Sequence, residues 1–368
     1  MKVQLLDLDA QYRPIMSDIR HEMDKVLSSH QYILGPAVKD FEKQMQEYLQ
    51  VKHAIGCANG TDALVLALKA LEIKEGDEVI TTPFSFFATA SCIYRVGAKP
   101  IFVDINEKTF NINPDLIEKS ITKNTKAIIV VHLFGQAAEM DKIMAIAKKH
   151  NLYVIEDNAQ GIGCKYDGQY AGGIGDIGTL SFFPSKNLGC MGDGGMCLTQ
   201  SDDLGAKLRQ LRTHGENPKY FHKWVGLNSR LDTLQAAVLS VKLRHLQTWS
   251  EARRANAAKY YELLKEVKDI KLPYIHPKAE SIYNQFTIVT EKRDELMKEL
   301  QSKEIGCAIY YPLPLHLQEC FAYLGYKEGD CPNSERLAKQ VLSIPIYSEL
   351  PEEQIRFVAD TIINFYNK

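Results

Sequence analysis

No C-x-x-C pair joins any two of the eight cysteines in this 368-residue chain, and no H-E-x-x-H string occurs. A disulfide frame and a zinc centre are therefore not expected, and the cysteines read as small core residues in a reducing compartment. A basic excess is missing too: 44 Lys plus Arg stand against 46 Asp plus Glu, for a net charge of −2. That argues against a general nucleic-acid binder. The most basic run, KLRQLRTHG from Lys207, is interrupted by leucines as an amphipathic helix would be. No apolar run approaches the roughly eighteen residues of a membrane span. The opening MKVQLLDLDAQYRP carries acidic residues where a leader's apolar stretch would lie, so a cytoplasmic protein is expected. Internal repeats and low-complexity linkers are likewise absent.

What is present is ordinary for a globular protein, 45% apolar and 24% charged, and long enough for a large core in two domains. From about His53 to Thr199, short Val/Ile-rich runs alternate with amphipathic stretches: HAIGCA, EVITTPF, KPIFVDI, TKAIIVVHLF and YVIEDNA. They show little period-two alternation, as strands buried on both faces do. The spacing predicts an α/β fold with a doubly wound, mainly parallel sheet, whose ligands sit beyond the C-terminal strand ends. TLQAAVLSVKLRHLQTWSEARRANAAKYYELL, after Asp232, reads as one long helical region leading to a second domain. We therefore expect a large domain over 1–248 and a smaller α+β domain over 249–368.

Three strand ends carry chemistry. In CANGTDAL, Asn59, Gly60 and Thr61 lie between a strand and a helix, where free N–H groups and a hydroxyl would face an anion; a plain helix cap reads the same way. VIEDNAQG ends a strand in Glu156 and Asp157, with Gln160 three residues on from Asp157. A carboxylate there needs a cation or hydrogen-bond donors. SFFPSKNLGCMGDGG, from Ser181, brings one lysine, Lys186, off the end of the strand IGTLSFF into a glycine-rich loop. Alone it reads as a solvated loop lysine. Together, a phosphate cradle, a buried acid and a lysine suit pyridoxal phosphate, which needs an amine for its aldehyde, an anion for its ring nitrogen and donors for its phosphate. GIGDIG, from Gly173, matches the dinucleotide G-x-G-x-x-G string but precedes a strand, so it reads as a flexible turn.

These motifs, in order with YILGPAVKDFE, GDEVITTPFSFFATA, GLNSRLDTLQAAVLSVKL, YYPLPLHLQ and LSIPIY, resemble the DegT-type nucleotide-sugar aminotransferases of the fold type I pyridoxal-phosphate enzymes across nearly the whole chain. The resemblance implies Lys186 as the cofactor-linking lysine, Asp157 as the ring-nitrogen partner and Gln160 as the partner of the ring hydroxyl. It also implies Gly60, Thr61 and Ser181 at the phosphate and Phe86 stacked on the ring, with core packing the plain alternative for Phe86. Asn228 corresponds to an asparagine reaching the phosphate from a neighbouring subunit, which implies a homodimer with shared active sites. One related group replaces the lysine by histidine and dehydrates sugars, so Lys186 favours amino transfer.

By the same resemblance the donor is L-glutamate and the acceptor a nucleotide-linked keto-sugar. RTHGENPKYFHKWVGLNSRLD is similar to relatives that aminate C3 more than to those that aminate C4, with His214, Tyr220 and Arg230 at substrate positions. Arg230 reads equally as a residue that pins a subunit interface. Tyr310, in CAIYYPLP, stands where some relatives acting on uronic-acid sugars carry histidine, which leaves neutral UDP- or dTDP-linked 3-keto sugars in play. The competing readings are a C4-aminating transferase, a lyase of the same fold type, and a non-catalytic cofactor-binding regulator; no basic helix-turn-helix extension supports the last.

Overall fold

A computed structural model describes residues 1–367. Seven strands form the main sheet: β1 (His53–Cys57), β2 (Glu78–Thr81), β3 (Lys99–Phe102), β4 (Thr125–Val131), β5 (Tyr153–Asp157), β6 (Ile177–Ser181) and β7 (Gly195–Thr199). Their order is β1-β7-β6-β5-β4-β2-β3, and every neighbouring pair is parallel except the two made by β7. Apolar runs without alternation are what such a sheet requires, because both of its faces are covered. The strand expected over IGTLSFF ends at Ser181, so Phe182 and Phe183 already belong to the loop that carries Lys186.

Helices α1 (Met16–Ser29) and α2 (Pro36–Leu49) precede the sheet, α3 (Gly60–Ala70) joins β1 to β2, and α4 (Ala88–Arg95) joins β2 to β3. The long helix expected after Asp232 is instead two, α5 (Thr233–Leu243) and α6 (Leu246–Leu264), separated by a turn at Arg244 and His245. Their surroundings account for the break. α5 is buried almost all round and packs on α1 and α2. α6 buries only a stripe, Leu246, Ser250, Arg253, Asn256, Ala257, Tyr260 and Leu264, and packs on the C-terminal helix α7 (Glu352–Tyr366). Leu246 sits in the core beneath the sheet, whereas Ala257, Tyr260 and Leu264 sit in a second core around the antiparallel pair Phe286–Val289 and Val341–Ile344. The expected division at 248 and 249 thus falls inside one helix. Val3 bridges to Ile305 and is buried in the second core, so the first residues pack with the C-terminal unit.

Gly173 and Gly175 lie in a bend before β6, whereas Gly178 is already inside that strand, and the bend has a structural purpose. Glu156 is fully buried, and its carboxylate accepts the backbone N–H groups of Gly172 (2.7 Å), Ile174 (2.8 Å) and Gly175 (2.6 Å). His132, also fully buried, completes the shell: its Nδ1 accepts from Ala138 N, so Nε2 carries the proton and donates to Glu156 at 2.9 Å. Burial alone would raise the Glu156 pKa, but His132 and the backbone donors outweigh it and hold the pKa below its ordinary 4.5. The stabilisation is therefore present above that range and is lost as pH falls through the depressed folded value. Glu156→Ala orphans these donors and should cost about 3 kcal/mol or more in denaturant titrations. Acidification below pH 4.5 should cost the variant less stability than it costs the natural chain.

Candidate active site

The cradle forms where β1 runs into α3. Asn59 caps the helix, its side chain accepting from Asp62 N at 2.8 Å and its carbonyl from Ala63 N at 3.0 Å. The N–H groups of Gly60 and Thr61 are left to point out of the helix end, where the helix dipole favours an anion. Gly60 is required by proximity: a Cβ there would stand 2.7 Å from the Ser181 Cβ. The missing side chain lets the end of β6 lie against the helix start, which brings the Ser181 hydroxyl to the same cradle.

Asp157 ends β5, separated from β1 by β6 and β7, and is buried. Its carboxylate accepts from the Thr89 hydroxyl at 2.7 Å and more weakly from Ala159 N at 3.3 Å, and Thr89 is itself bonded to the Ser85 hydroxyl at 2.9 Å. Burial raises the Asp157 pKa, opposed by Thr89, Ala159, Lys186 and His132. Lys186 is reached through a tight turn in which its N–H bonds the Phe183 carbonyl at 2.8 Å. Desolvation lowers its pKa to about 8, with the Asp157 charge pulling the other way. The two side chains perturb each other yet form no ion pair among those of the described residues, so the cleft keeps a gap between cation and anion. An amine, a buried carboxylate and an anion cradle are the donor set that a ring bearing an aldehyde, a basic nitrogen and a phosphate would need.

Gln160 accepts Phe134 N–H at 2.8 Å and donates to the Tyr311 hydroxyl at 2.9 Å, so it is held rigidly beside Asp157. Phe86 is exposed, with its ring 6.4 Å from that of Tyr311. Tyr310 packs edge-on to Tyr311. Sequence reasoning missed Thr89 and Tyr311. Thr89 follows Ser85 by four residues at a helix start, a spacing that could have paired the two hydroxyls. No local signal connects Tyr311 to Gln160, 151 residues away.

The chain does not bring every expected residue to this cleft. His214, Tyr220, Asn228 and Arg230 make no hydrogen bond or ion pair with Lys186, Asp157 or Gln160 among the described residues. Asn228 is exposed, bridged to Thr213 at the base of a projecting loop, and Tyr220 near its tip is 77% exposed. His214 and Tyr220 hold left-handed backbone angles, with φ of 61° and 71°. Among the described residues no cluster of His, Cys, Asp and Glu is arranged to hold a metal ion.

Comparison with known proteins bears on this geometry. Residues 14–363 match the model of the DegT/DnrJ/EryC1/StrS aminotransferase family. A "Pleiotropic regulatory protein" of Geobacillus stearothermophilus is 51% identical, over 100% of this chain and 99% of the relative. The UDP-N-acetyl-3-dehydro-alpha-D-glucosamine 3-aminotransferase of Acidithiobacillus ferrooxidans is 45% identical, over 98% of this chain and 97% of its own. The crystal structure of S. venezuelae DesV superposes with a TM-score of 0.98 at 39% identity, covering 100% of this chain and 99% of that one. NtdA of Bacillus subtilis, solved with bound cofactor PMP, gives 0.91 at 33% identity, covering 99% of this chain and 83% of that one.

The lowered Lys186 pKa has a direct readout in the cofactor-free protein. Acylation of Lys186, followed by peptide mass analysis, should rise with pH through about 8, ahead of surface lysines near 10.5. Asp157→Asn should move that midpoint lower still, because the carboxylate is what favours the ammonium form; an unmoved midpoint would separate the two side chains electrostatically.

Proposed function

The chain belongs to the DegT/DnrJ/EryC1/StrS aminotransferase family, and from that membership we propose that it moves an amino group from L-glutamate to C3 of a UDP- or dTDP-linked 3-keto sugar. It is a pyridoxal-phosphate-dependent nucleotide-sugar aminotransferase. The observation that carries the reading is one cleft holding the desolvated Lys186, the buried Asp157 and the cradle at Gly60, Thr61 and Ser181. When bound, the cofactor supplies an electron sink for the donor's carbon.

The residues divide the remaining work. Gly60, Thr61 and Ser181 would hold the phosphate, Phe86 would cover the ring, and Gln160 would meet the ring hydroxyl. Asp157, steadied by Thr89, would keep the ring nitrogen protonated. Lys186 would hold the aldehyde, and its neutral amine would serve as base and then acid for the proton of the donor's α carbon. The exposed Asn228 and Tyr220, with His214 and Arg230, fit a role in the neighbouring protomer of a homodimer, closing its cleft over phosphate and sugar.

The 3-amino product named for the Acidithiobacillus relative supports C3 as the site of transfer. The name of the Geobacillus relative gives a regulatory reading its one specific support. The 3-aminotransferase relative and the family model favour catalysis over that reading. Free cysteines throughout, Cys57 and Cys197 within the sheet among them, agree with the cytoplasm, and among the described residues no helix is long and apolar enough to cross a membrane.

Two experiments test this. Purified protein given L-glutamate should release 2-oxoglutarate with UDP- or dTDP-linked 3-keto sugars and not with 4-keto sugars, and Lys186→Ala should abolish the release. A 4-keto preference would move the reaction to C4, and no release across the panel would leave the regulatory reading standing. Asn228→Ala should weaken cofactor binding about tenfold, as loss of one phosphate contact does, and mixing it with a Lys186→Ala partner should restore one competent site per dimer.

A further inference from the structure

The C-terminal unit carries a cavity of about 310 Å³ that shares no lining residue with the cleft of Lys186, Asp157 and the cradle. Four segments far apart in the chain wall it: the stretch after α6, the end of the strand Phe286–Val289 with the residues beyond it, the helix Pro332–Gln340, and the end of α7. They bring four cationic side chains, Lys268, Lys271, Lys292 and Arg336, against two carboxylates, Asp269 and Glu291. That excess runs against a chain whose net charge is −2. Compensation within the cavity is incomplete. Arg336 is engaged, donating through Nη1 to Gln340 Oε1 at 3.2 Å and through Nη2 to Glu107 at 2.6 Å. Glu291 is engaged too, accepting from the Gln340 amide at 2.6 Å. Among the described residues the amines of Lys268 and Lys271 have no hydrogen bond or ion pair, and that of Lys292 meets only the Tyr366 ring, 5.8 Å from its centre. Three ammonium groups thus share a cavity with one uncommitted acid, Asp269. The floor adds a donor. The hydroxyls of Thr290 and Tyr366 bond each other, and Thr290 Oγ1 also accepts the Lys292 N–H at 3.2 Å. One proton serves the hydroxyl pair, so one O–H is left for a ligand whichever of the two donates.

We propose that this cavity binds a phosphate monoester of a small metabolite, its dianionic phosphate lying among the ammonium groups of Lys268, Lys271 and Lys292 and the spare hydroxyl of the Thr290–Tyr366 pair. Like charges gathered in one concavity focus a positive potential, which an anion relieves. Ammonium groups carried on separate segments are point charges that can meet a tetrahedral group from several sides. A planar carboxylate instead calls for an arginine fork, and the one arginine here is already committed. The volume lies at the small end for ligand pockets, which suits a phosphate bearing a group the size of glycerol and not a nucleotide-linked sugar.

The test titrates glycerol 3-phosphate calorimetrically into the holoenzyme, with inorganic phosphate as a second arm. The double variant Lys268→Ala, Lys271→Ala removes two exposed amines that hold no bond in the fold, and it should weaken glycerol 3-phosphate binding about tenfold. Asp269→Asn should strengthen binding about threefold, a gain that damage to the fold would not produce. Added salt should weaken binding to the natural chain, and excess UDP, which the cavity is too small to seat, should leave it unchanged. Inorganic phosphate should bind more weakly, because it forgoes the contacts of the organic group. Thermal melts verify folding. Absence of saturable binding, or unaltered affinity in the lysine variant, overturns the proposal. So does displacement by UDP, which would move the phosphate to the acceptor's cleft, and so does equal affinity for inorganic phosphate, which would reduce the occupant to the free ion. None of these measurements depends on amino transfer.

Discussion

Two neighbouring carboxylates at the end of β5 govern this molecule, and they are treated in opposite ways. Successive side chains on a strand point to opposite faces. Glu156 turns to a face where three backbone N–H groups and His132 satisfy it completely. Asp157 turns to the other face and receives one hydroxyl, one long backbone bond and the field of Lys186. A buried carboxylate so thinly served is costly unless a cation comes to it. Under the proposed function, a protonated ring nitrogen would supply that missing charge at the C-terminal end of the sheet. Glu156 makes this tolerable, because its own network locks β5, β4 and the following turn into one rigid corner.

Much of this corner could be read before any coordinates. The strands ending near Cys57 and Asp157, the cap at Asn59 and the lysine loop are local features, written in short runs whose apolar pattern and turn residues agree with one another; the end of β6 at Ser181, two residues short of the apolar run, is not. The role of the bend over 173–176 was only half legible. Its position before a strand excluded a dinucleotide site, but nothing local revealed that its N–H groups enclose a carboxylate from the preceding strand.

Other features depend on contacts between distant segments and leave no mark in any window. Tyr311 reaches Gln160 from the C-terminal unit, so one face of the cleft is supplied by the second core. The break at Arg244 and His245 carries no proline or glycine; it is set by the different surfaces that α5 and α6 must cover. Val3 packing with Ile305 likewise follows from which apolar surface remains uncovered after the C-terminal unit folds.

A second lysine clarifies what makes the first one a site. Lys242 is fully buried, and desolvation lowers its pKa to about 8, the same value as Lys186. Its amine, however, donates to the Tyr12 hydroxyl at 3.1 Å and lies 4.3 Å from the Tyr12 ring centre, so it fastens the N-terminal segment to α5. Cys190 and Glu349 act on it from a distance, and no carboxylate pairs with it among the described residues. Perturbation by burial is therefore common to a structural lysine and a reactive one. The difference lies in what surrounds the amine. Lys242 has spent its proton on a hydroxyl and its charge on an aromatic face, whereas Lys186 stands at a strand end across a gap from an unsatisfied acid, with an anion cradle alongside.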